Sequence, residues 1–578
     1  MRKGAPPLRT VLSYLRPSAK KMAWGLTIKF LGTVMDLLLP WILAFVIDTV
    51  VPRRSLAQIA LWGGVMLLCS VLAVVGNIAA NRSAARIARD ASERIRHDLF
   101  SKIAHLSCRQ IDGFTVPSLE ARLTTDTYNV HQMLNMMQRV GVRAPILLLG
   151  GVAVTLTLEP VLTLVLLSVL PLIALVVFFV SRKGVGLFSA MQRSVDALVR
   201  TVREDVTGIR IIKALSRTEG EKTRFDGVNR AVSRRETAAS TTMALSNPAI
   251  NFFLGAGLTG VILVGAFRVD SGLTQPGTIL AFLSYFTIIL GAMLSITRVF
   301  VMYSKGAASA ARIQEVLAAE GEPETLAAAA SDRGAARLSF EGVTFSYGGG
   351  EPAVEDISFS VGPGQTLGII GATGSGKSTL CNLMLRFYTP DKGVIRLDGR
   401  DIRAIPLKEL RSRFGVVFQN DLLFGRTVAE NIDFDRGIAP DRAEAAAGWA
   451  QADFVAGLEG GFAHPLAARG TDLSGGQRQR LLVARALAGD PDILILDDAS
   501  SALDYQTDAK LRQAVRTHCA DATCVVVAQR VSSVMGADLI LVLDEGRLLG
   551  CGSHGQLLES CPPYRELYAL QMGEGAAQ

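Results

Sequence analysis

Apolar and polar positions divide this chain into two unlike halves. From residue 22 to about 303, apolar runs recur that are long enough to cross a bilayer core of ~30 Å, which takes ~20 apolar residues per helix. Six are placed, at 22–47, 57–79, 138–158, 161–181, 246–267 and 277–303. Only Glu159 and Pro160 separate the third and fourth, which predicts a very tight hairpin. The polar stretches after the second and fourth runs are about sixty residues each and keep helical periodicity, so they read as membrane helices continuing into water. From about residue 337 onward the pattern is that of a soluble α/β protein. Residues 337–347 and 351–361 alternate like strands, and the short apolar run Gln365–Ile370 feeds a glycine-rich loop.

Basic residues set the orientation. Residues 81–143 hold ten Lys or Arg and residues 181–243 hold thirteen, whereas the opposite ends of the runs carry only Arg53, Arg54 and Arg268. The long extensions, both termini and the α/β half are therefore expected in the cytoplasm. The first apolar segment follows a basic Met1-Arg2-Lys3, is long, and lacks a small-residue cleavage site, so it reads as a retained helix rather than a signal peptide. Leu8 to Leu15 ahead of it reads either as a short amphipathic helix on the membrane surface or as an ordinary solvated helix start. Domain boundaries are expected at 1–20 (interfacial segment), 21–317 (six-helix membrane domain), 318–336 (an alanine-rich linker) and 337–578 (the α/β domain).

Composition changes this picture little. The chain is 49 % hydrophobic and 19 % charged, with a net charge of +8 concentrated near the ends of the apolar runs. That placement explains the basic balance by topology, and the six spans exclude a soluble nucleic-acid-handling ATPase. The seven cysteines are scattered singly, without metal-ligand spacing, and read as free thiols. Asp36 and Arg298 fall inside spans, where charge is costly. Asp36 is open to three readings, a site attracting a cationic substrate, a structural pair with a basic side chain, or a carboxylate facing a water-filled cavity. Phe252, Phe253, Phe282, Phe286 and Phe300 are aromatic residues of the spans whose spacing fits packing better than ligand contact.

The chemistry lies in Gly371-Ala372-Thr373-Gly374-Ser375-Gly376-Lys377-Ser378-Thr379, a complete P-loop between a strand and a helix. Its glycines let backbone N–H groups face a β-phosphate at the positive end of the following helix. Lys377 supplies a cation for the β- and γ-phosphates, and Ser378 a hydroxyl ligand for Mg²⁺. Asp497, ending the apolar Ile493–Leu496, is placed to hold the metal's hydration shell. Tyr347 is a candidate to stack on adenine, and Gln419 to reach the Mg²⁺ or the attacking water.

The order Tyr347, P-loop, Gln419, Leu473-Ser474-Gly475-Gly476-Gln477, Asp497 and Ser501-Ala502-Leu503-Asp504 resembles the ATP-binding cassette domain. With six preceding spans the whole chain resembles a half-size ABC exporter. The resemblance implies a polytopic α-helical membrane domain fused to an α/β P-loop cassette, with ATP and Mg²⁺ as cofactors. It also implies a lipid bilayer around the spans and a second half-transporter. In the family two cassettes close head to tail, so Ser474, Gly475, Gly476 and Gln477 would cap the partner's ATP, with Asp504 nearby. Arg122–Asp126 and Gly208–Ala214 look like the segments flanking the family's two coupling helices.

Two departures shape the functional expectation. Where the family's competent sites have a glutamate after the metal-binding aspartate, this chain has Asp498, shorter by one methylene. Where they have a histidine contacting the γ-phosphate, it has Gln529, which cannot carry positive charge. Ala467–Gly470 likewise lacks the family's frequent glutamate before the signature. Together these resemble the degenerate-site half of bacterial heterodimeric exporters. The expectation is a cell-membrane export pump for amphipathic small molecules that hydrolyses ATP mainly at the partner's site, that partner carrying the intact Glu and His. Two alternatives stand beside it: an exporter-fold importer or lipid flippase, and an ATP-responsive regulatory subunit that transports nothing.

Overall fold

In the computed structural model, which describes residues 7–326, 336–499 and 502–572, the chain forms two compact units. One takes in Met1–Ala104 and Pro117–Ala319, the other His105–Val116 with Glu320–Gln578. Residues 1–6 of the N-terminal segment, residues 327–335 of the expected linker, and Ser501 lie outside the described residues.

Among the described residues of the first unit, six helical stretches are long and apolar enough to cross a membrane: Thr10–Arg53, Leu56–Ala104, Val116–Leu158, Pro160–Thr207, Thr218–Asp270 and Pro276–Ala318. The polar stretches between runs are helical continuations. Leu56–Ala104 has 49 residues, roughly 70 Å at 1.5 Å per residue, more than twice a bilayer core. The predicted tight hairpin is a single extended residue, Glu159 (φ −159°), followed by Pro160 at the first position of the next helix, where its missing N–H leaves nothing unsatisfied. The buried Glu159 carboxylate accepts a hydrogen bond from Arg268 Nη2 at 2.8 Å. Asp48 joins the first span to the start of the last, its Oδ1 accepting from the Gly277 N–H at 2.6 Å. A Cβ at position 277 would lie 2.6 Å from that oxygen, so only glycine fits.

The structure shows Asp36 paired with a basic side chain, and the residue also lines a cavity. Arg143 Nη2 donates to Asp36 Oδ2 at 2.8 Å, and Asn77 Nδ2 lies 3.5 Å from the same oxygen. Further along, Arg122 Nη2 donates to Glu315 at 2.8 Å and Arg312 Nε to the buried Asp126 at 2.8 Å, pinning the extension of the third span to that of the sixth. Gly208 ends the fourth long helix, and Ile209–Ala214 forms a short helix before Thr218–Ala244. Phe282 and Phe286 are core residues, while Phe252 and Phe300 are exposed.

The second unit is built on two sheets. Strands β1 (Leu338–Phe345), β2 (Val354–Val361), β4 (Lys392–Leu397) and β5 (Arg400–Asp401) form an antiparallel sheet in the order β2-β1-β4-β5. Strands β3 (Thr366–Gly371), β6 (Phe414–Val417), β7 (Ile493–Asp497), β8 (Thr523–Ala528), β9 (Leu539–Asp544) and β10 (Arg547–Gly552) form a second sheet ordered β10-β9-β3-β8-β7-β6. All its pairings are parallel except β10 with β9. The fully buried Leu367, Ile369, Ile493, Ile495, Val525 and Leu541 give these strands the continuous apolar character of a parallel sheet covered on both faces.

The segment His105–Val116, which lies in sequence between the second and third spans, packs into this second unit. Its helix Cys108–Phe114 starts with a capping box from Ser107 and Gln110. Gln110 Nε2 donates to Glu320 O at 2.7 Å, the Glu322 N–H to His105 O at 2.8 Å, and the Tyr388 hydroxyl to Asp112 Oδ2 at 2.5 Å.

Candidate functional site

Parallel strands send their next residues off one edge of the sheet, and there the candidate chemistry converges. The register pairs Ile370 with Ala528, Asp497 with Val527, and Val417 with Leu496, so the carboxyl ends of β3, β8, β7 and β6 lie nearly level. The P-loop follows β3, Gln529 follows β8, Asp497 ends β7 with Asp498 just past it, and Gln419 lies two residues past β6. A pocket of about 280 Å³ is lined by Tyr347, Lys377, Ser378, Gln419, Asp497, Asp498 and Gln529 together with the loop residues Thr373, Gly374, Gly376 and Thr379.

The P-loop has the backbone that anion binding needs. Gly374 and Gly376 have φ of 85° and 98°, a region that L side chains rarely adopt. Lys377 opens the helix Lys377–Met384, and its Nζ donates to Gly371 O at 2.9 Å and Ala372 O at 2.7 Å. Burial lowers the Lys377 ammonium from its usual range, while Asp497 and Asp498 act in the opposite sense. Ser375 is 2 % exposed, and its Oγ has no hydrogen-bond partner among the described residues. A cradle of N–H groups with an orphaned hydroxyl fits a polyphosphate.

The metal side of the pocket is equally specific. Ser378 Oγ donates to Asp497 Oδ2 at 2.9 Å. Burial pushes the Asp497 carboxyl above the usual carboxylate range, with the Asp498 charge adding to it and the Ser378 and Lys377 contacts opposing. A hydroxyl and a carboxylate side by side, with the amide of Gln419 on the same wall, form an all-oxygen donor set that fits Mg²⁺.

Asp498 has a left-handed backbone (φ 52°) and is held at both ends of its peptide: its N–H donates to Val527 O at 3.0 Å, and its carbonyl accepts from Gln479 Nε2 at 3.1 Å. Gln479 Oε1 also accepts from the Ala502 N–H at 3.1 Å. Gln571, in the last described helix, donates from Nε2 to Gln529 O at 3.0 Å and accepts from the Val531 N–H at 2.7 Å. Sequence reasoning missed both glutamines, since neither lies in a strand-loop-helix motif and their partners are set by packing.

The signature residues and Asp504 are not part of the pocket lining. Ser474 caps the helix Gly475–Ala488 through a capping box with Gln477, presenting Gly475 and Gly476 at a helix N-terminus. Asp504 caps the helix Tyr505–His518, its Oδ1 accepting from the Thr507 N–H at 2.9 Å. Gly371 sits at the end of β3 beneath the loop, where a Cβ would meet Leu543 O at 2.2 Å. Tyr347 is 44 % exposed and makes T-shaped ring contacts with Phe345 and Tyr388.

One cassette with a P-loop ATPase site, on the same chain as six spanning helices, defines a half-size ATP-driven membrane transporter. Comparison with known proteins carries this to a family. Residues 22–293 match the ABC transporter transmembrane region and residues 354–501 the ABC transporter domain, so the chain belongs to the ABC transporter family. It is 34 % identical over 575 residues to the uncharacterized ABC transporter ATP-binding protein YfiB of Bacillus subtilis (strain 168), covering 99 % of this chain and 100 % of that one. It is 33 % identical over 489 residues to the ATP-dependent lipid A-core flippase of Chromobacterium violaceum, covering 84 % and 83 % of the two chains. Its fold matches a structure of a bacterial Atm1-family ABC exporter with ATP bound at a TM-score of 0.79 and 25 % identity, covering 96 % of this chain and 98 % of that one. The chain is thus a multi-pass membrane protein of ABC-exporter type, with ATPase activity coupled to transport.

Proposed function

We propose that this chain is one half of a heterodimeric exporter of amphipathic small molecules in the cell membrane, with both termini cytoplasmic. Its own site binds ATP and Mg²⁺ but hydrolyses slowly, and its signature helix completes the partner's site. The observation that carries this reading is the presence of Asp498 and Gln529 on the wall of the nucleotide pocket, just past the ends of adjacent strands.

Each residue then has a definite task. The P-loop N–H groups and Lys377 hold the phosphates, Tyr347 the base, and Ser378, Asp497 and Gln419 the metal, which when bound neutralises phosphate charge. The Asp498 peptide is fixed at both ends, so its carboxylate cannot advance to compensate for its short side chain. It stops on the order of 1 Å short of where a glutamate would hold the attacking water. Gln529 donates a neutral hydrogen bond in place of a cation. A well-placed acid or base is worth ~10²–10⁴-fold in rate, so a site lacking that geometry retains ATP. Ser474, Gly475 and Gly476 are not among the residues lining this pocket, and a helix N-terminus suits the capping of a partner's γ-phosphate.

The test is the ATPase rate of the natively purified, tagged complex carrying Asp498→Asn. Most activity should survive, with a second polypeptide of similar size in the complex. Loss of activity, or a single polypeptide, would make Asp498 a working base in a homodimer. A second reading, a lipid flippase, is favoured by the similarity over 84 % of the chain to a protein named as a lipid A-core flippase. Flipping of a labelled lipid in reconstituted vesicles separates it from export of a soluble compound.

A further inference from the structure

Within the membrane unit, a cavity of about 660 Å³ lies among the first, second, third and sixth spanning helices. Its polar wall carries Lys29, Asp36, Asn81, Arg139, Arg143 and Arg298, and Pro40, Leu147 and Ile288 contribute to an apolar wall. Four cationic side chains therefore face one carboxylate. The carboxylate is already committed, because Asp36 Oδ2 accepts from Arg143 Nη2 at 2.8 Å. The Arg143 Nε is buried without a hydrogen-bond partner among the described residues.

None of the other three cations forms an ion pair among the described residues. Lys29 is 3 % exposed, and its ammonium donates to two amide oxygens, Asn77 Oδ1 at 2.8 Å and Asn81 Oδ1 at 3.0 Å. Those oxygens solvate the charge without neutralising it. Arg298 Nη2 donates to Ser295 Oγ at 3.0 Å, and neither Arg298 nor Arg139 forms an ion pair among the described residues. Unneutralised charge inside spanning helices is costly and marks a substrate or ion path. Guanidinium groups are well suited to grip a phosphate, sulfonate or carboxylate through paired N–H donors. The volume falls in the usual range for a small-molecule site.

We propose that this cavity is the substrate site and that it takes an anionic amphiphile: an acidic head held by Lys29, Arg139 and Arg298, with an apolar body against Pro40, Leu147 and Ile288. This rests on the transport reading above and sharpens it, since a cationic drug would be repelled. It also reverses the cation-attracting role considered for Asp36. That carboxylate holds Arg143 in place and tempers the charge of the wall.

The natively purified complex in phosphatidylcholine nanodiscs, without nucleotide, is titrated with three fluorescent probes. These are nitrobenzoxadiazole-labelled phosphatidylglycerol, a water-soluble dansyl-labelled medium-chain carboxylate, and the cation rhodamine 6G. At least one anion should bind tenfold or more tightly than rhodamine 6G. Binding of the phosphatidylglycerol alone assigns the head to a lipid, and binding of the carboxylate alone assigns it to a soluble amphiphile. The double variant Arg139→Gln/Arg298→Gln, in which no ion pair is broken, should lose at least tenfold in anion affinity while its affinity for trinitrophenyl-ATP reports an intact fold. Rhodamine 6G binding as tightly as both anions, or full anion affinity in the double variant, would overturn the proposal. Anions that bind but neither stimulate ATP hydrolysis nor move across the bilayer would leave the cavity assignment standing and refute the transport reading. ATP-driven movement of rhodamine 6G without anion binding would do the reverse.

Discussion

Replacing Arg386 by Met should loosen the second unit by several kcal/mol. Arg386 is 3 % exposed, and its guanidinium donates to five backbone carbonyls. Nη2 reaches Pro323 O at 2.6 Å and Glu324 O at 2.9 Å, and Nη1 reaches Ile405 O at 3.0 Å, with Ile402 O and Arg403 O at 3.3 and 3.4 Å. It thus ties the segment after Glu320 to the loop after β5. Beside it, Arg411 holds Glu322 through two contacts at 2.6 and 3.0 Å. Each hydrogen bond to a charged donor is worth ~1.5–3 kcal/mol, but the bonds are not additive and the buried cation carries its own desolvation cost. Three good bonds less that cost leave about 3–5 kcal/mol. Met fills similar space and occupies the same left-handed backbone (φ 51°) at no new penalty relative to Arg. For a unit of this size each kcal/mol moves the melting temperature by ~2–4 °C, so the soluble unit's transition should fall by roughly 6–20 °C. Differential scanning calorimetry of the detergent-purified full chain reads it, and Arg386→Lys, with three donors on one head, should recover part of the loss. A shift under about 2 °C for Arg386→Met would show that the carbonyls find water instead and that the clamp contributes little.

Ser474→Ala removes the capping box of the signature helix, which costs about 1 kcal/mol, and the hydroxyl offered to the partner's nucleotide. It should lower ATPase of the complex at least ~10-fold while trinitrophenyl-ATP still binds this chain's P-loop, and equal loss of both would contradict a role toward the partner. The Thr507 N–H, and after it the Thr507 hydroxyl, hold the Asp504 carboxyl below the usual carboxylate range. The cap's stabilisation is therefore present above the ordinary carboxylate pKa and disappears as pH falls through the depressed value. Asp504→Ala should melt earlier than wild type at neutral pH and together with it in strong acid, and a pH-independent difference would refute the cap. Burial pushes the Cys524 thiol up to about 12 and also raises Cys381. Brief iodoacetamide treatment at pH 8, followed by mass spectrometry, should label the exposed Cys551 and leave those two unmodified until the chain is denatured.

The spans and the P-loop were legible in the residues themselves because both depend on local physics. A bilayer demands ~20 apolar residues whose backbone bonds are satisfied within one helix, and Gly374 and Gly376 encode a loop conformation whatever surrounds them. The single-residue hairpin at Glu159 followed from chain length alone. What Asp36 does was not legible, because Arg143 and Asn77 reach it from two other helices 107 and 41 residues away. The clustering of Lys29, Arg139 and Arg298, and the packing of His105–Val116 with the second unit, have the same origin. The alignment of Gln419, Asp498 and Gln529 belongs to the strand order β8-β7-β6, which no local pattern specifies. Sequence determines which charges and motifs exist and what each segment does alone. Their partners are set by side chains converging from distant segments, so only the packed structure decides which charges are neutralised and which stay available for a ligand.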